Sequence, residues 1–521
     1  MYRNLLSVAG FTMLSRVTGF LRDILLGAVL GAGMMADAFY VAFRLPNHFR
    51  AIFGEGAFNA AYVPTYSRTL EQQGATAAKT FSGHILTLLL ASQIVLLALA
   101  WLFTPQLVGL LAPGFEQDPE KFALTISLTR ITFPYLLFVT LVTLYSGTLN
   151  ANGKFAAAAF APVLLNLGMI TCLAAAFIFP DAAYAAAFGV AFAGSLELGL
   201  LIAAARKARV LATLQRPKWT ADVKQFFTAV VPAVIGSAGV QIAIFADTII
   251  ASLLPTGSVS SIYYADRIYQ LPVGVIGIAA GTVLLPEMSR RLAANDPGAA
   301  FHAQNRTMAL TLALAAPFFV AFLMIPDQLM RGVFLRGRFT EEAAAASASV
   351  LAAYGLGLLA VVLIRSAVAS FQAQGDTKTP MFISLFAVAV NVALKIALYK
   401  PLGAPGLALA TAVGAWINFT LLVWLAMRRG AMKPDATLAK VGIAVLAASF
   451  ALALIAYFGD APATMIARAA GWLESELRIG VLGLVGAIGY GAVLLIMLRA
   501  LGVRLARVKA SPAATIPPPL E

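Results

Sequence analysis

Apolar stretches of about twenty residues or more follow one another along almost the whole of this chain, and that is the length a helix needs to cross the hydrocarbon of a bilayer. Lipid offers nothing to a free backbone N–H or C=O, so each stretch must close its own hydrogen bonds as a helix. A chain of 521 residues has room for several soluble domains, but 60% of this one is hydrophobic and only 12% is charged. Soluble domains carry roughly twice that share of charge. A soluble enzyme, a disordered regulator and a secreted disulfide scaffold are therefore excluded. The single Cys172 has no partner for an internal disulfide, and His48, His84 and His302 are far apart with no carboxylate at ligand spacing. No metal centre and no cofactor are expected.

Fourteen spans are expected, near 5–30, 34–55, 80–104, 123–149, 156–179, 183–205, 227–254, 259–286, 307–326, 345–371, 380–399, 406–427, 441–459 and 479–498. The first resembles a signal peptide, but Arg16, Arg22 and Asp23 interrupt it and the run is too long, so a retained helix is expected. With the N-terminus in the cytoplasm, about 22 Lys and Arg fall on inner loops and about 7 on outer ones. Both termini are then cytoplasmic, and the net charge of +14 is mostly an orientation signal, with no nucleic-acid partner implied. The loops are too short for a soluble catalytic domain. Residues 510–521, rich in proline and small side chains, are expected to be disordered.

Val63-Pro64 followed by Ser67-Arg68 returns as Leu285-Pro286 followed by Ser289-Arg290, and Asn150-Ala151-Asn152-Gly153 returns as Gln372-Ala373-Gln374-Gly375. Both matches lie 222 residues on, and a shared shift points to internal duplication. The shift covers six spans, an even number, so the copies are expected to lie parallel about a pseudo-twofold axis along the membrane normal. The expected fold is an all-α integral membrane protein with six-helix lobes at 1–218 and 219–432, two further transmembrane helices within 433–509, and the tail.

Ionisable groups inside spans are costly and mark a pathway or a binding site. The first two spans hold Arg16, Arg22, Asp23, Asp37, Arg44, Arg50 and Glu55, and the eighth adds Asp266 and Arg267. Seven residues separate Arg16 from Asp23 and Asp37 from Arg44, so each pair shares a helix face. Gly19, Gly31, Gly33, Pro46, Gly54 and Gly56 interrupt these helices, as irregular backbone does where it lines an aqueous cavity. Guanidinium forks round a cavity suit a polyanion, because they bind phosphate and carboxylate through two bonds at once. An arginine near a helix end also snorkels to the interface, but clustering argues against that for this group. Arg130 and Arg365 remain open between the two readings. Asp247 and Lys395, in the seventh and eleventh spans, are expected to pair, with Asn391 one turn before the lysine satisfying a remaining lone pair. The stretch 330–339, with Arg331, Arg336 and Arg338, reads as an amphipathic segment on the outer surface.

The run Ser15-Arg16-Val17-Thr18-Gly19-Phe20-Leu21-Arg22-Asp23, the stretch from Asp37 to Asn47, Phe53-Gly54-Glu55-Gly56-Ala57-Phe58 and Tyr263-Tyr264-Ala265-Asp266-Arg267 resemble the bacterial MurJ (MviN) family, over nearly the whole chain. The resemblance implies the multidrug, oligosaccharidyl-lipid and polysaccharide exporter superfamily, with two six-helix lobes and a C-terminal pair that helps form a groove for a lipid tail. It further implies a flippase that carries lipid II, the undecaprenyl-diphosphate-linked disaccharide-pentapeptide, from the inner to the outer leaflet of the bacterial cytoplasmic membrane. By that resemblance the substrate-binding residues are Arg16, Arg22, Arg50 and Arg267, with Asp37 as a further cavity residue. Asp23, Arg44, Asn47, Glu55 and Asp266 support the cavity. Ala51 departs from members with a second basic residue after Arg50.

The expected mechanism is alternating access without covalent chemistry, so the chain is no enzyme. Its expected partners are lipid II and membrane lipids, with proteins of cell-wall synthesis beyond them. A flippase for another polyprenyl-diphosphate-linked saccharide shares the anionic group. A cation-coupled drug exporter predicts an acidic cavity, and a lipid-modifying membrane enzyme predicts paired acidic or His residues near one face.

Overall fold

With each apolar run closing its own backbone bonds, helices make up most of the described residues, and no strand occurs among them. The computed structural model describes residues 2–54, 57–469 and 473–503, so Glu55, Gly56 and the expected tail at 510–521 lie outside them. The first half comprises α1 (Tyr2–Leu30), α2 (Met34–Gly54), α3 (Ala57–Leu102), α4 (Thr104–Leu111), α5 (Pro119–Thr132), α6 (Pro134–Ala151), α7 (Ala156–Ala174) and α8 (Ala182–Lys207). The second comprises α9 (Ala221–Ser252), α10 (Ser258–Pro272), α11 (Ile278–Ala293), α12 (Pro297–Met324), α13 (Pro326–Phe334), α14 (Glu341–Gly355), α15 (Leu358–Gln372) and α16 (Lys378–Arg428). Two more, α17 (Ala436–Ala469) and α18 (Glu474–Ala500), pack on each other and on α12 and α13.

Ten helices among the described residues are long and apolar enough to cross a membrane. The expected fourteen needs four segments more: α1, α2, α9 and the second arm of α16, whose 51 residues bend at Gly403. α3 bends likewise at Gly74, which sets an arm starting at Ala57 apart from the spanning arm behind it.

The 222-residue shift carries the start of α4 (Thr104) onto that of α13 (Pro326) and the start of α5 (Pro119) onto that of α14 (Glu341). It carries the start of α8, at Ala182, to the residue just past the Gly403 bend in α16. The element order thus repeats once. One of the two sequence matches acquires a physical reason. Gly153 and Gly375 end α6 and α15 with φ of 70° and 80°, a left-handed conformation that glycine adopts without strain. The next amides, Lys154 N–H and Asp376 N–H, reach back to Leu149 O and Phe371 O at 2.8 and 3.0 Å, closing the same helix cap in both halves.

The halves close on each other at the far end of α1. Arg338 N–H donates to Ala28 O at 2.8 Å, and the Tyr264 hydroxyl donates to Gly31 O at 2.9 Å. Met330, Phe334 and Phe339 are buried there, so the amphipathic segment at 330–339 turns its apolar face into the protein and not to an outer surface. Two of its three arginines are in ion pairs, Arg331 with Asp327 and Glu341, and Arg336 with Glu476, while Arg338 Nη1 lies 3.8 Å from Met35 Sδ.

Asp37, expected on the wall of a cavity, is buried at this closed end instead. Its carboxylate accepts from Gly257 N–H, Ser260 N–H and the Ser260 hydroxyl, each at 2.8 Å, which caps α10 of the other half. A fourth bond, also 2.8 Å, comes from Lys121 Nζ of α5, which in turn lies 3.9 Å from the centre of the Phe115 ring. The reason is depth. Asp37 and Arg44 share a helix face, but seven residues separate their levels by roughly 10 Å along the axis.

Candidate functional site

Between the halves lies a cavity of about 480 Å³, walled by α1, α2, α9, α10 and α16 with Leu165 and Tyr354. Five cations line it, Arg22, Arg44, Arg50, Arg267 and Lys395, against two carboxylates, Asp247 and Asp266. Charge on this wall is therefore positive by three. Asn47 and His48 stand among the cations.

Three of the four arginines are held by different devices. Arg22 donates through Nε and Nη2 to Asp23 Oδ1, at 3.1 and 2.7 Å, and through Nη1 to Asn166 Oδ1 at 3.0 Å. Asn166 is itself fixed, donating from Nδ2 to Ser15 O at 2.9 Å. Asp23 stands behind the wall and also accepts the Tyr263 hydroxyl at 3.1 Å, so it ties α1 of one half to α10 of the other. Arg267 Nη2 donates to Asp266 Oδ2 at 2.9 Å while its guanidinium lies 4.7 Å above the Tyr263 ring, which stacks on Tyr40 at 3.8 Å. Such a stack fixes a cation without consuming its N–H groups. Arg50 Nε donates to Asn47 Oδ1 at 3.1 Å. Among the described residues, Arg44 Nε and Arg267 Nε are buried without a hydrogen-bond partner. A buried donor left unpaired costs free energy that an anionic ligand restores.

Arg16 is not on this wall. It is exposed, and its guanidinium faces Gly274 just past α10, where an added Cβ would lie 3.6 Å from Nη1. It belongs to the seam between the halves, six residues nearer the N-terminus than Arg22.

The structure brings Asp247 and Lys395 together in an ion pair on the cavity wall. The lysine side chain is 3% exposed and the aspartate 35%. Asn391 does not complete the pair. It packs where the two arms of α16 fold back on each other, against Gly414, where an added Cβ would meet Asn391 Cβ at 2.9 Å, and its Oδ1 has no partner among the described residues. The asymmetric burial gives an unequal expectation. Asp247→Ala strands a buried ammonium and is expected to cost up to about 3 kcal/mol, whereas Lys395→Met leaves a carboxylate that the cavity hydrates and costs less. Thermal melts of the purified variants check this, with the double variant melting above Asp247→Ala; equal losses in the two single variants would refute the pairing as the reason.

Sequence reading missed Asn166, Tyr40 and Lys121. Asn166 carried a signal, a lone amide in Leu164-Leu165-Asn166-Leu167. Lys121 carried none, because Asp118, Glu120 and Lys121 read as a charged outer loop.

A helical bundle that repeats its element order once and encloses a cationic cavity between its halves is a two-lobed membrane carrier. The family described as lipid II flippase MurJ matches residues 26–482. The chain belongs to that family. It is 42% identical over 427 residues to "Probable lipid II flippase MurJ" of Rhizobium meliloti (strain 1021), covering 80% of each chain. To "Lipid II flippase MurJ" of Burkholderia cenocepacia it is 35% identical over 465 residues, 87% of this chain and 89% of that one. A solved lipid II flippase MurJ in an inward closed conformation superposes with a TM-score of 0.78 at 23% identity, covering 95% of this chain and 99% of that one. An inward-facing multidrug resistance MATE family transporter of the MOP superfamily superposes at 0.65 and 15% identity, over 82% and 98%.

Proposed function

We propose that this chain flips lipid II across the bacterial cytoplasmic membrane by alternating access, with both termini in the cytoplasm and the end clasped by Asp37 facing out. The observation that carries the reading is the wall of the central cavity, where fixed guanidinium groups hold buried N–H donors that lack partners. A diphosphate supplies the matching acceptors, two oxyanions at fixed spacing, and Arg22, Arg267, Arg44 and Arg50 receive it while the polyprenyl tail stays in lipid. No bond is made or broken, so no general base or nucleophile is needed. A cavity of about 480 Å³ takes the diphosphate with part of the head group. Loading a disaccharide-pentapeptide therefore requires the lobes to part, and the Asp37 clasp and the Asp23–Tyr263 bond are the contacts that reform as they close.

Reconstitution in liposomes with labelled lipid II, scored by leaflet exchange, tests the reading, and a panel of other polyprenyl-diphosphate sugars tests its specificity. Because Arg22 uses Nε and both Nη groups at once, Arg22→Lys retains the charge but not the planar fork. Its exchange rate is expected to fall by about tenfold or more, the equivalent of one lost charge-assisted bond. Wild-type exchange by Arg22→Lys would show that charge alone suffices.

A further inference from the structure

A second cavity of about 430 Å³ lies within the first lobe between α1, α2, α3, α6, α7 and α8, and the mechanism above makes no use of it. Arg50 lines both cavities. On the wall of the second stands Glu197 of α8, 4% exposed, with Oε2 lacking a hydrogen-bond partner among the described residues. Glu197 lies ten residues before the end of α8, too deep for its carboxylate to reach water at the helix terminus. Its counterpart in the second lobe, 222 residues on, is Phe419, so the repeat does not explain it.

An ionised carboxylate whose oxygen accepts nothing is expensive in a low-dielectric interior. Two events remove that cost: a cation comes to it, or it takes up a proton. Arg50 of α2 and the Tyr135 hydroxyl of α6 are the charged and titratable groups that face it, while Asn59, Thr143, Ser146 and Asn150 are neutral polar side chains on the same cavity wall. The other helices packed on α8, namely α1, α5 and α7, place no charged or titratable side chain on it among the described residues. A bound metal ion fits poorly, because Arg50 already puts a full positive charge on the same wall and a second would be repelled. A proton neutralises the carboxylate without adding a positive centre beside the guanidinium.

We propose that Glu197 is a proton-binding site and that its charge decides which cavity Arg50 serves. Ionised, Glu197 draws the Arg50 guanidinium toward the second cavity; protonated, it releases Arg50 to the anion in the central one. Glu197 is then a positioning residue that acts through Arg50 and links transport to proton uptake in the first lobe. The link to transport rests on the reading of Arg50 as part of the substrate site, whereas the proton site does not.

Two readouts keep those apart. Full-length protein in liposomes, titrated from about pH 5 to about pH 9, where buried carboxyl groups titrate, is expected to give an infrared carbonyl band of a protonated carboxylic acid that fades as pH rises. The band should be missing in Glu197→Gln, present in Glu197→Asp and indifferent to sodium. Identical spectra from wild type and Glu197→Gln, or a band abolished by sodium at fixed pH, overturn the site. In the same liposomes, lipid II exchange by the wild type should vary with pH at up to about tenfold per unit, with Glu197→Asp keeping the slope and Glu197→Gln flat to within about twofold. A Glu197→Gln variant with the wild-type profile overturns the link to Arg50. Wild-type liposomes that show the band but exchange no lipid II uphold the proton site and refute the substrate proposed above.

Discussion

Arg22→Ala and Arg267→Ala each abolish lipid II exchange while the protein remains folded: that is the expected result of greatest size. Both guanidinium groups sit on the cavity wall in fixed orientations, one held by Asp23 and Asn166, the other by Asp266 and the Tyr263 ring. Each presents more than one N–H to an oxyanion, and a charge-assisted bond contributes about 1.5–3 kcal/mol. Losing two of them lowers the exchange rate by on the order of 100-fold or more. The fold tolerates the loss, although Asp23, 4% exposed, is left with a single donor, so Arg22→Ala is expected to melt lower than Arg267→Ala. Asp23 keeps the Tyr263 hydroxyl and Asp266 keeps Gln270 Nε2 at 3.2 Å. Leaflet exchange, read beside melting temperature and gel filtration of the same preparations, checks both halves of the expectation. Exchange within about threefold of wild type in both variants, less than one charge-assisted bond is worth, would mean that the cationic wall does not hold the substrate.

What could be read ahead of the structure follows from what one dimension encodes. Hydrophobic length announced the spans, and the 222-residue repeat announced that the element order runs twice, because two copies of one fold keep their caps and prolines in register. The glycines at 153 and 375 show this at atomic scale. The charges behave otherwise. Arg44 has Asp266 as its counterpart in the repeat, Arg22 has Ile244 and Lys395 has Leu173, so duplication preserved the frame and not the site. Spacing along a helix told which charges share a face but not how deep each one lies or what meets it. Asp37 and Arg44 share a face, yet one closes the lobes and the other lines the cavity. Asn391 and Lys395 are one turn apart, yet the fold-back at Gly403 gives the amide to Gly414 and leaves the ammonium to Asp247. Glu197 went unnoticed because a single carboxylate in an apolar run has no spacing to read.

The clasp at Asp37 carries the second large expectation, in which stability and conformation separate. Asp37 and Lys121 side chains are 1% and 4% exposed, and the carboxylate takes all its lobe-to-lobe bonds from the start of α10. A carboxylate at a helix N-terminus satisfies amides that have no partner within the helix and meets the positive end of its dipole. Asp37→Ala removes that cap and also strands a buried ammonium, a combination expected to cost about 3–5 kcal/mol. Most of that penalty belongs to Lys121, so the double variant Asp37→Leu with Lys121→Met should recover much of the melting temperature by removing the unpaired charge. It cannot restore the acceptor for the Gly257 and Ser260 amides. Hydrogen exchange at those two amides should therefore be fast in both the single and the double variant, and slow in the wild type, whatever the melting temperatures do. Slow exchange in the double variant would mean that apolar packing of Phe334, Phe339 and Tyr264 holds the lobes together unaided, and that the opening step of transport is not governed by this carboxylate.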